Sequence, residues 1–148
     1  MSPVVFLDTN VPIYATGSAH PLKEPCKHVL VLASQSASSF VTDAEVMQEL
    51  LHRYLGVRRW AGGRNVFRHF SDLMQGRIVA VEANDVEGAA QLAETHANLG
   101  ARDLLHLVVM RRLRVRHIAS ADTGFDGVPG VERLDPAQWE SWRHLVLA

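Results

Sequence analysis

A chain of 148 residues, 47% hydrophobic and 21% charged with 10 Gly and 6 Pro, has the size and composition of a single folded domain, 1–148, rather than of a disordered or collagen-like chain. Its single cysteine, Cys26, excludes an internal disulfide and a cysteine-zinc cluster, and no apolar run nears the roughly 18 residues of a membrane span, so a cytoplasmic protein with no membrane contact is expected. The net charge of −1 excludes little because it conceals an asymmetry: residues 51–80 carry six Arg (Arg53, Arg58, Arg59, Arg64, Arg68, Arg77) against Asp72, whereas residues 82–94 and 122–140 each sum to −4. Such a basic stretch either holds phosphates or forms solvated helix faces. The amino-terminal residues lack the basic start and long apolar stretch of an export signal.

Residues 4–7 are a β-branched and aromatic run ended by Asp8-Thr9-Asn10, which predicts a buried strand and a polar turn. A short helical turn and a loop over residues 17–21 follow. Over residues 22–36, Cys26, Val29, Leu30 and Ala33 recur at helical spacing, and residues 39–42 read as a second strand. Thr42 or Asp43 caps the next helix, striped by Val46, Met47, Leu50, Leu51 and Tyr54. An Arg-rich helix turns Val66, Phe67, Phe70, Leu73 and Met74 inward and stops at Gly76. Residues 78–81 make a third strand, and 85–99 a helix ended by Gly100. Asp103 opens another helix through Leu104, Leu107, Val108 and Leu113. Residues 117–120 form a fourth strand, 131–134 a fifth, and Pro136 starts the last helix. Short strands alternating with helices predict an α/β/α sandwich around a mostly parallel central sheet of four to five strands.

Several signatures of α/β enzymes are missing: no G-x-G-x-x-G follows the first strand, and G-x-x-x-x-G-K-[ST], H-E-x-x-H and G-x-S-x-G do not occur. The eight His show no metal-ligand spacing and read as ordinary surface or satisfied groups. Acids at strand ends and helix starts remain. Asp8 directly follows the first strand and Asp122 the fourth, and in open α/β sheets ligands gather outside the carboxyl ends of the strands. Asp103, at a helix start, and Glu49, in the helix after the second strand, can reach that crevice, with Asp126 a fifth member. Singly, each acid has a plainer role: Asp8 and Asp103 as helix caps, Asp126 in a turn, Glu49 in the exposed series Glu45, Glu49, Arg53. Together they require a counter-charge, because two carboxylates about 4 Å apart repel by about 4 kcal/mol at an effective dielectric near 20. Oxygen-only donors suit Mg²⁺ or Mn²⁺. A divalent ion beside basic patches is the equipment of metal-assisted phosphodiester hydrolysis.

Four segments in order carry a family resemblance: Val4-Val5-Phe6-Leu7-Asp8-Thr9-Asn10, the Glu49 helix Val46-Met47-Gln48-Glu49-Leu50-Leu51, Arg102-Asp103-Leu104, and Ser120-Ala121-Asp122-Thr123-Gly124-Phe125-Asp126. They resemble the motifs of PIN domains, particularly the VapC-type toxins of bacterial toxin–antitoxin pairs. The resemblance implies a PIN-like fold in which Asp8, Glu49, Asp103 and Asp122 are the catalytic acids that bind Mg²⁺ or Mn²⁺, with Asp126 an auxiliary metal-binding acid. Thr9 or Asn10, and Ser120, match small polar positions that steady the first and last acids. Glu45, one turn before Glu49, is the alternative helix-borne acid, although Glu49 fits the pattern Glu-Leu-Leu better. A ribonuclease of structured RNA, a homodimer and an antitoxin that masks the acidic pocket are implied in the same way. The stretch with Arg53, Arg58, Arg59, Arg64 and Arg68 resembles the variable helical region that meets RNA or a partner.

The competing reading from another class is a PIN-like module that binds RNA or a protein without cutting, against which the intact acids count. Haloacid-dehalogenase chemistry wants Asp-x-Asp after the first strand, where this chain has Asp8-Thr9-Asn10. Receiver-type phosphotransfer wants a Lys after a late strand, and the two Lys stand at 23 and 27.

Overall fold

In the computed structural model, which describes residues 3–147, five short strands pair wholly in parallel: β1 (Val5–Leu7), β2 (Phe40–Asp43), β3 (Ile78–Val79), β4 (His117–Ala119) and β5 (Glu132–Leu134). Their order across the sheet is β3-β2-β1-β4-β5. Chain order therefore runs outward from β1 on one side and then restarts on the other, which makes the gap between β1 and β4 the switch point where connections diverge and a crevice opens. Residues 5–7 are fully buried, as a central parallel strand covered on both faces requires.

Among the described residues six helices fill the connections, α1 (Asn10–Thr16), α2 (Lys23–Gln35), α3 (Ala44–Gly56), α4 (Trp60–Leu73), α5 (Ala83–Ala93) and α6 (Ala101–Leu113), and the short α7 (Trp139–Trp142) follows β5. α1 packs on α2, α3 on α4, and α5 on α6, while α3 also meets α6. Asp43 ends β2 and caps α3, accepting a hydrogen bond from the Val46 N–H at 2.9 Å. Along α3, Val46, Met47 and Leu50 are buried, but Leu51 is 37% exposed and does not belong to the inward stripe.

The helix predicted over residues 85–99 is shorter and begins earlier. Glu82 and Asp85 form a reciprocal capping box, so Asp85 lies in the first turn rather than ahead of it. Arg112 on α6 grips the Asp85 carboxylate at 2.9 and 3.1 Å and the Ala80 carbonyl at 2.8 Å. The residues after Ala93 leave the helix and carry buried Leu99 to the start of α6. The strand expected at residues 78–81 is only the pair Ile78–Val79.

α4 approaches α3 closely at Gly63, where an added Cβ would fall 2.1 Å from the Tyr54 ring, whereas one at Gly62 would meet nothing within 4 Å. Gly62→Ala is therefore expected to stabilise the fold by about 0.5–1 kcal/mol through helix propensity. Gly63→Ala should lower the melting temperature by forcing α3 and α4 apart. Equal thermal shifts for the two variants would contradict this packing.

Candidate functional site

The switch point is laced shut by hydrogen bonds that begin at Asp8, only 4% exposed, immediately after β1. Its backbone N–H donates to the Ala119 carbonyl on β4 at 3.1 Å. Its Oδ2 accepts from the Ser120 hydroxyl at 2.6 Å and the Asn10 amide at 3.3 Å, and Oδ1 from the Thr9 N–H at 2.8 Å. Ser120 also accepts from Asn10 at 3.0 Å and from the Asp122 N–H at 3.0 Å, so one hydroxyl steadies both acids. Thr9 contributes its backbone only: its Oγ1 is buried without a hydrogen-bond partner.

The other wall comes from α3 and α6. Asp103 stands in the first turn of α6 and His106 one turn later on the same face. His106 is fully buried, with Nδ1 2.8 Å from Asp43 Oδ2, Nε2 3.0 Å from Glu49 Oε1, and Nε2 3.8 Å from Asp8 Oδ1. Each ring nitrogen faces a carboxylate, so either neutral tautomer would turn one lone pair on a carboxylate oxygen, and the form that satisfies both partners is the doubly protonated imidazolium. Its Nε2 lone pair is thereby used, although Asp8, Asp103 and His106 offer atoms within 4.8 Å of one another as a metal cluster would. Carboxylate oxygens, not this nitrogen, are the available ligands.

These walls enclose a cavity of about 640 Å³ lined by Asp8, Glu49, Asp103 and Asp122, with Arg53 and Arg102 among its other lining residues. The four acids that the sequence singled out thus come from four separate elements to one space. Asp8 and Asp103 are not helix caps; α1 and α6 start after Thr9 and Gly100 without side-chain caps. Asp122 does cap, its Oδ1 accepting from the Gly124 N–H at 2.8 Å in a 3-10 turn. Glu45 turns to Arg102 at 3.8 Å and does not line the cavity, which favours Glu49.

Asp126 does not join the other acids. It is 55% exposed at its side chain and bound by Arg133 at 2.9 and 3.3 Å, while Arg133 holds the Ser120 carbonyl at 3.0 Å. Its carboxylate is paired with a cation already in the chain, and the same cation holds the end of β4. Arg59 lines a neighbouring groove with Ile13, Arg53 and Tyr54. Arg58, Arg64 and Arg68 are exposed and line neither space.

The PIN domain family matches residues 5–131. Ribonuclease VapC23 of Mycobacterium tuberculosis is 40% identical over 119 residues, covering 80% of this chain and 93% of that protein. Ribonuclease VapC13 of the same organism is 34% identical over 131 residues, covering 88% and 99%. This chain belongs to the PIN domain family. Among solved structures, VapBC2 from Rickettsia felis bound to a DNA fragment from their promoter shares the fold with a TM-score of 0.69 at 16% identity, covering 89% of this PIN domain and 99% of that chain. VapC20 of M. tuberculosis, a Sarcin-Ricin loop cleaving toxin, superposes with a TM-score of 0.62 at 16% identity, covering 86% and 98%.

Electrostatically, this PIN domain holds its acids under strain. Burial, then the Asp8 charge, pushes the Asp103 carboxyl up to about 7, and burial raises Asp8 despite the pull of His106. Burial alone would lower His106, but its hydrogen bonds to Asp43 and Glu49 outweigh that and push the ring up to about 10. The sequence reading placed His106 among ordinary histidines; the signal that marks it is its position three residues after Asp103.

Both shifts cost stability as pH rises. The raised Asp103 favours the fold fully below about 4 and less as pH climbs to about 7; the raised His106 favours it fully below about 6.5 and less toward about 10. Metal-free protein is expected to melt at lower temperature at pH 8 than at pH 5, and ¹⁵N spectra should show both His106 ring N–H groups still protonated at pH 8. A ring that loses a proton near 6.5 would contradict the double hydrogen bond.

Proposed function

We propose that this PIN domain is a metal-dependent endoribonuclease that cuts structured RNA, the toxin of a toxin–antitoxin pair. The observation that carries the reading is the convergence of Asp8, Glu49, Asp103 and Asp122 on one cavity that Arg53 and Arg102 also line. Crowded carboxylates, with proton affinity raised by burial at Asp8 and Asp103, form a hard oxygen donor set that a divalent cation satisfies, which supports Mg²⁺ or Mn²⁺ over softer metals. Asp8 and Asp103 hold the ion in this reading, with Glu49 and Asp122 completing the set. Bound there, the ion lowers the pKa of a water and offsets charge on the phosphate.

The rest of the work falls to the chain itself. Ser120 and Asn10 hold Asp8 through Oδ2 and the Thr9 N–H holds it through Oδ1, so its carboxylate is fixed at the cavity wall. Arg53 and Arg102 are placed to hold the phosphate of the bound strand, since guanidinium forks match phosphate oxygens. Hydrolysis then adds water to phosphorus, breaks the bond to the leaving ribose oxygen, and hands that oxygen a proton. The most exposed acid of the set, Asp122, is the one best placed to exchange protons with solvent.

The antitoxin partner is carried over from relatives: the R. felis structure is a VapBC2 assembly, and a toxin-antitoxin complex from Klebsiella pneumoniae shares this fold with a TM-score of 0.62 at 16% identity. A homodimer belongs to the same reading. Among the described residues no helix is long and apolar enough to cross a membrane.

The purified protein, free of any antitoxin, is expected to cleave end-labelled structured RNA with Mg²⁺ or Mn²⁺ and to stop with EDTA. Asp103→Asn, purified identically, should fold and not cleave. RNA that is bound but not cut by wild type would favour the silent module instead. Mn²⁺ at 100 times its dissociation constant should stabilise the fold by about 2.7 kcal/mol. At a fixed Mn²⁺ concentration the gain should be larger at pH 7.5 than at pH 5.5, because the ion displaces a proton from Asp103 below about 7 and its dissociation constant rises there. A gain independent of pH would count against Asp103 as a ligand.

A further inference from the structure

Helix α3 delivers two carboxylates to one histidine. Asp43, its cap, takes His106 Nδ1 at 2.8 Å through Oδ2 while its Oδ1 stays on the Val46 N–H at 2.9 Å. Glu49, almost two turns on, takes His106 Nε2 at 3.0 Å through Oε1. The ring is fully buried and lies against Phe6 of β1, with ring centroids 5.1 Å apart, so it has no freedom to swing away. Asp103 precedes it by three residues on α6, so the same bond fixes the spacing between the two helices that carry Glu49 and Asp103.

Glu49 has no other hydrogen-bond donor among the described residues, and its side chain is 17% exposed at the cavity wall. A glutamate has three side-chain torsions, and a free one at a cavity wall samples several rotamers. The hydrogen bond to Oε1 selects one of them, and no donor among the described residues takes Oε2.

We propose that His106 is the positioning residue of the cleavage site, locked by Asp43 through Nδ1 and holding the Glu49 carboxylate through Nε2 so that its second oxygen faces the ion held by Asp8 and Asp103. The role rests on the metal-dependent reading above. It makes Asp43-His106-Glu49 a chain whose middle member touches neither RNA nor ion, yet sets the geometry of a residue that does. Outer partners of this kind are worth 10–100-fold in metal affinity.

Two amides separate the halves of the ring. Gln at 106 carries its N–H₂ near the place of Nε2 and keeps the donor to Glu49; Asn carries it near Nδ1 and keeps only the donor to Asp43. Each variant loses one buried hydrogen bond and the ring, so their melting temperatures should fall alike. The readout is Mn²⁺ affinity by calorimetry, with no RNA present. His106→Asn is expected to weaken Mn²⁺ binding about 10–100-fold and His106→Gln far less. Adding Glu49→Gln to His106→Asn should cost little beyond Glu49→Gln alone, since both act through the same Glu49 carboxylate.

If His106→Asn does not fold, Asp43→Ser carries the test. Serine keeps the helix cap but is too short to reach the ring, and Mn²⁺ binding should weaken severalfold with the histidine intact. Mn²⁺ affinities equal to wild type in His106→Asn or Asp43→Ser, or equal losses in the Asn and Gln variants that track melting temperature, would overturn the role and leave His106 a packing residue. Wild-type protein that binds no Mn²⁺ would overturn the metal-dependent reading itself and the inference with it.

Discussion

A carboxylate taken out of water at the end of the central strand governs this structure. Asp8 follows three fully buried residues of β1 and is itself almost fully buried, so its charge must be met by donors or a cation within the chain. Ser120 and Asn10 meet Oδ2, the Thr9 N–H meets Oδ1, and His106 stands 3.8 Å from that same Oδ1. Those partners come from β4, α1 and α6, which is why a single acid draws together elements far apart in sequence. The parallel order β3-β2-β1-β4-β5 makes this convergence possible by leaving the crevice between β1 and β4.

The balance of charge in the site follows from the same constraint. Three carboxylates, those of Asp8, Asp43 and Glu49, surround the His106 imidazolium, and Asp103 and Asp122 add two more nearby. One buried cation does not neutralise that number; burial first, with the neighbouring carboxylates adding to it, raises the proton affinity of Asp103 and Asp8. Carboxyls whose proton affinity burial raises, as at Asp103 and Asp8, are poised to exchange that proton for a divalent ion. The Arg side chains of the cavity add positive charge where a polyanion approaches without entering the buried network.

How much of this was legible in the sequence depended on which physical signal each part leaves. The strands announced themselves as β-branched runs closed by polar residues, and Asp8 and Asp122 followed from their ends. Asp103 and Glu49 were legible as members of ordered motifs. Asp126 was not, because its neighbour in space, Arg133, is seven residues away and nothing local reports that the carboxylate is already occupied. Leu51 kept the helical period yet faces solvent, since periodicity gives a stripe without saying how wide the covering layer is. The start of α5 was displaced because Asp85 serves in a capping box with Glu82 instead of capping alone. His106 went unread for a similar reason: one histidine on an apolar helix looks like core, and its two partners lie 63 and 57 residues away.

The central claim is that the acids of the β1–β4 crevice hold a divalent ion while His106 holds Glu49 toward it. The most direct measurement is an anomalous diffraction map from crystals soaked in Mn²⁺. The account predicts a single region of manganese density bounded by Asp8 and Asp103, with Glu49 presenting Oε2 to it and Oε1 still within hydrogen-bond distance of His106 Nε2. Manganese bonded to His106 Nε2, with Glu49 turned away from the ring, or no manganese in the cavity at saturating concentration, would contradict it.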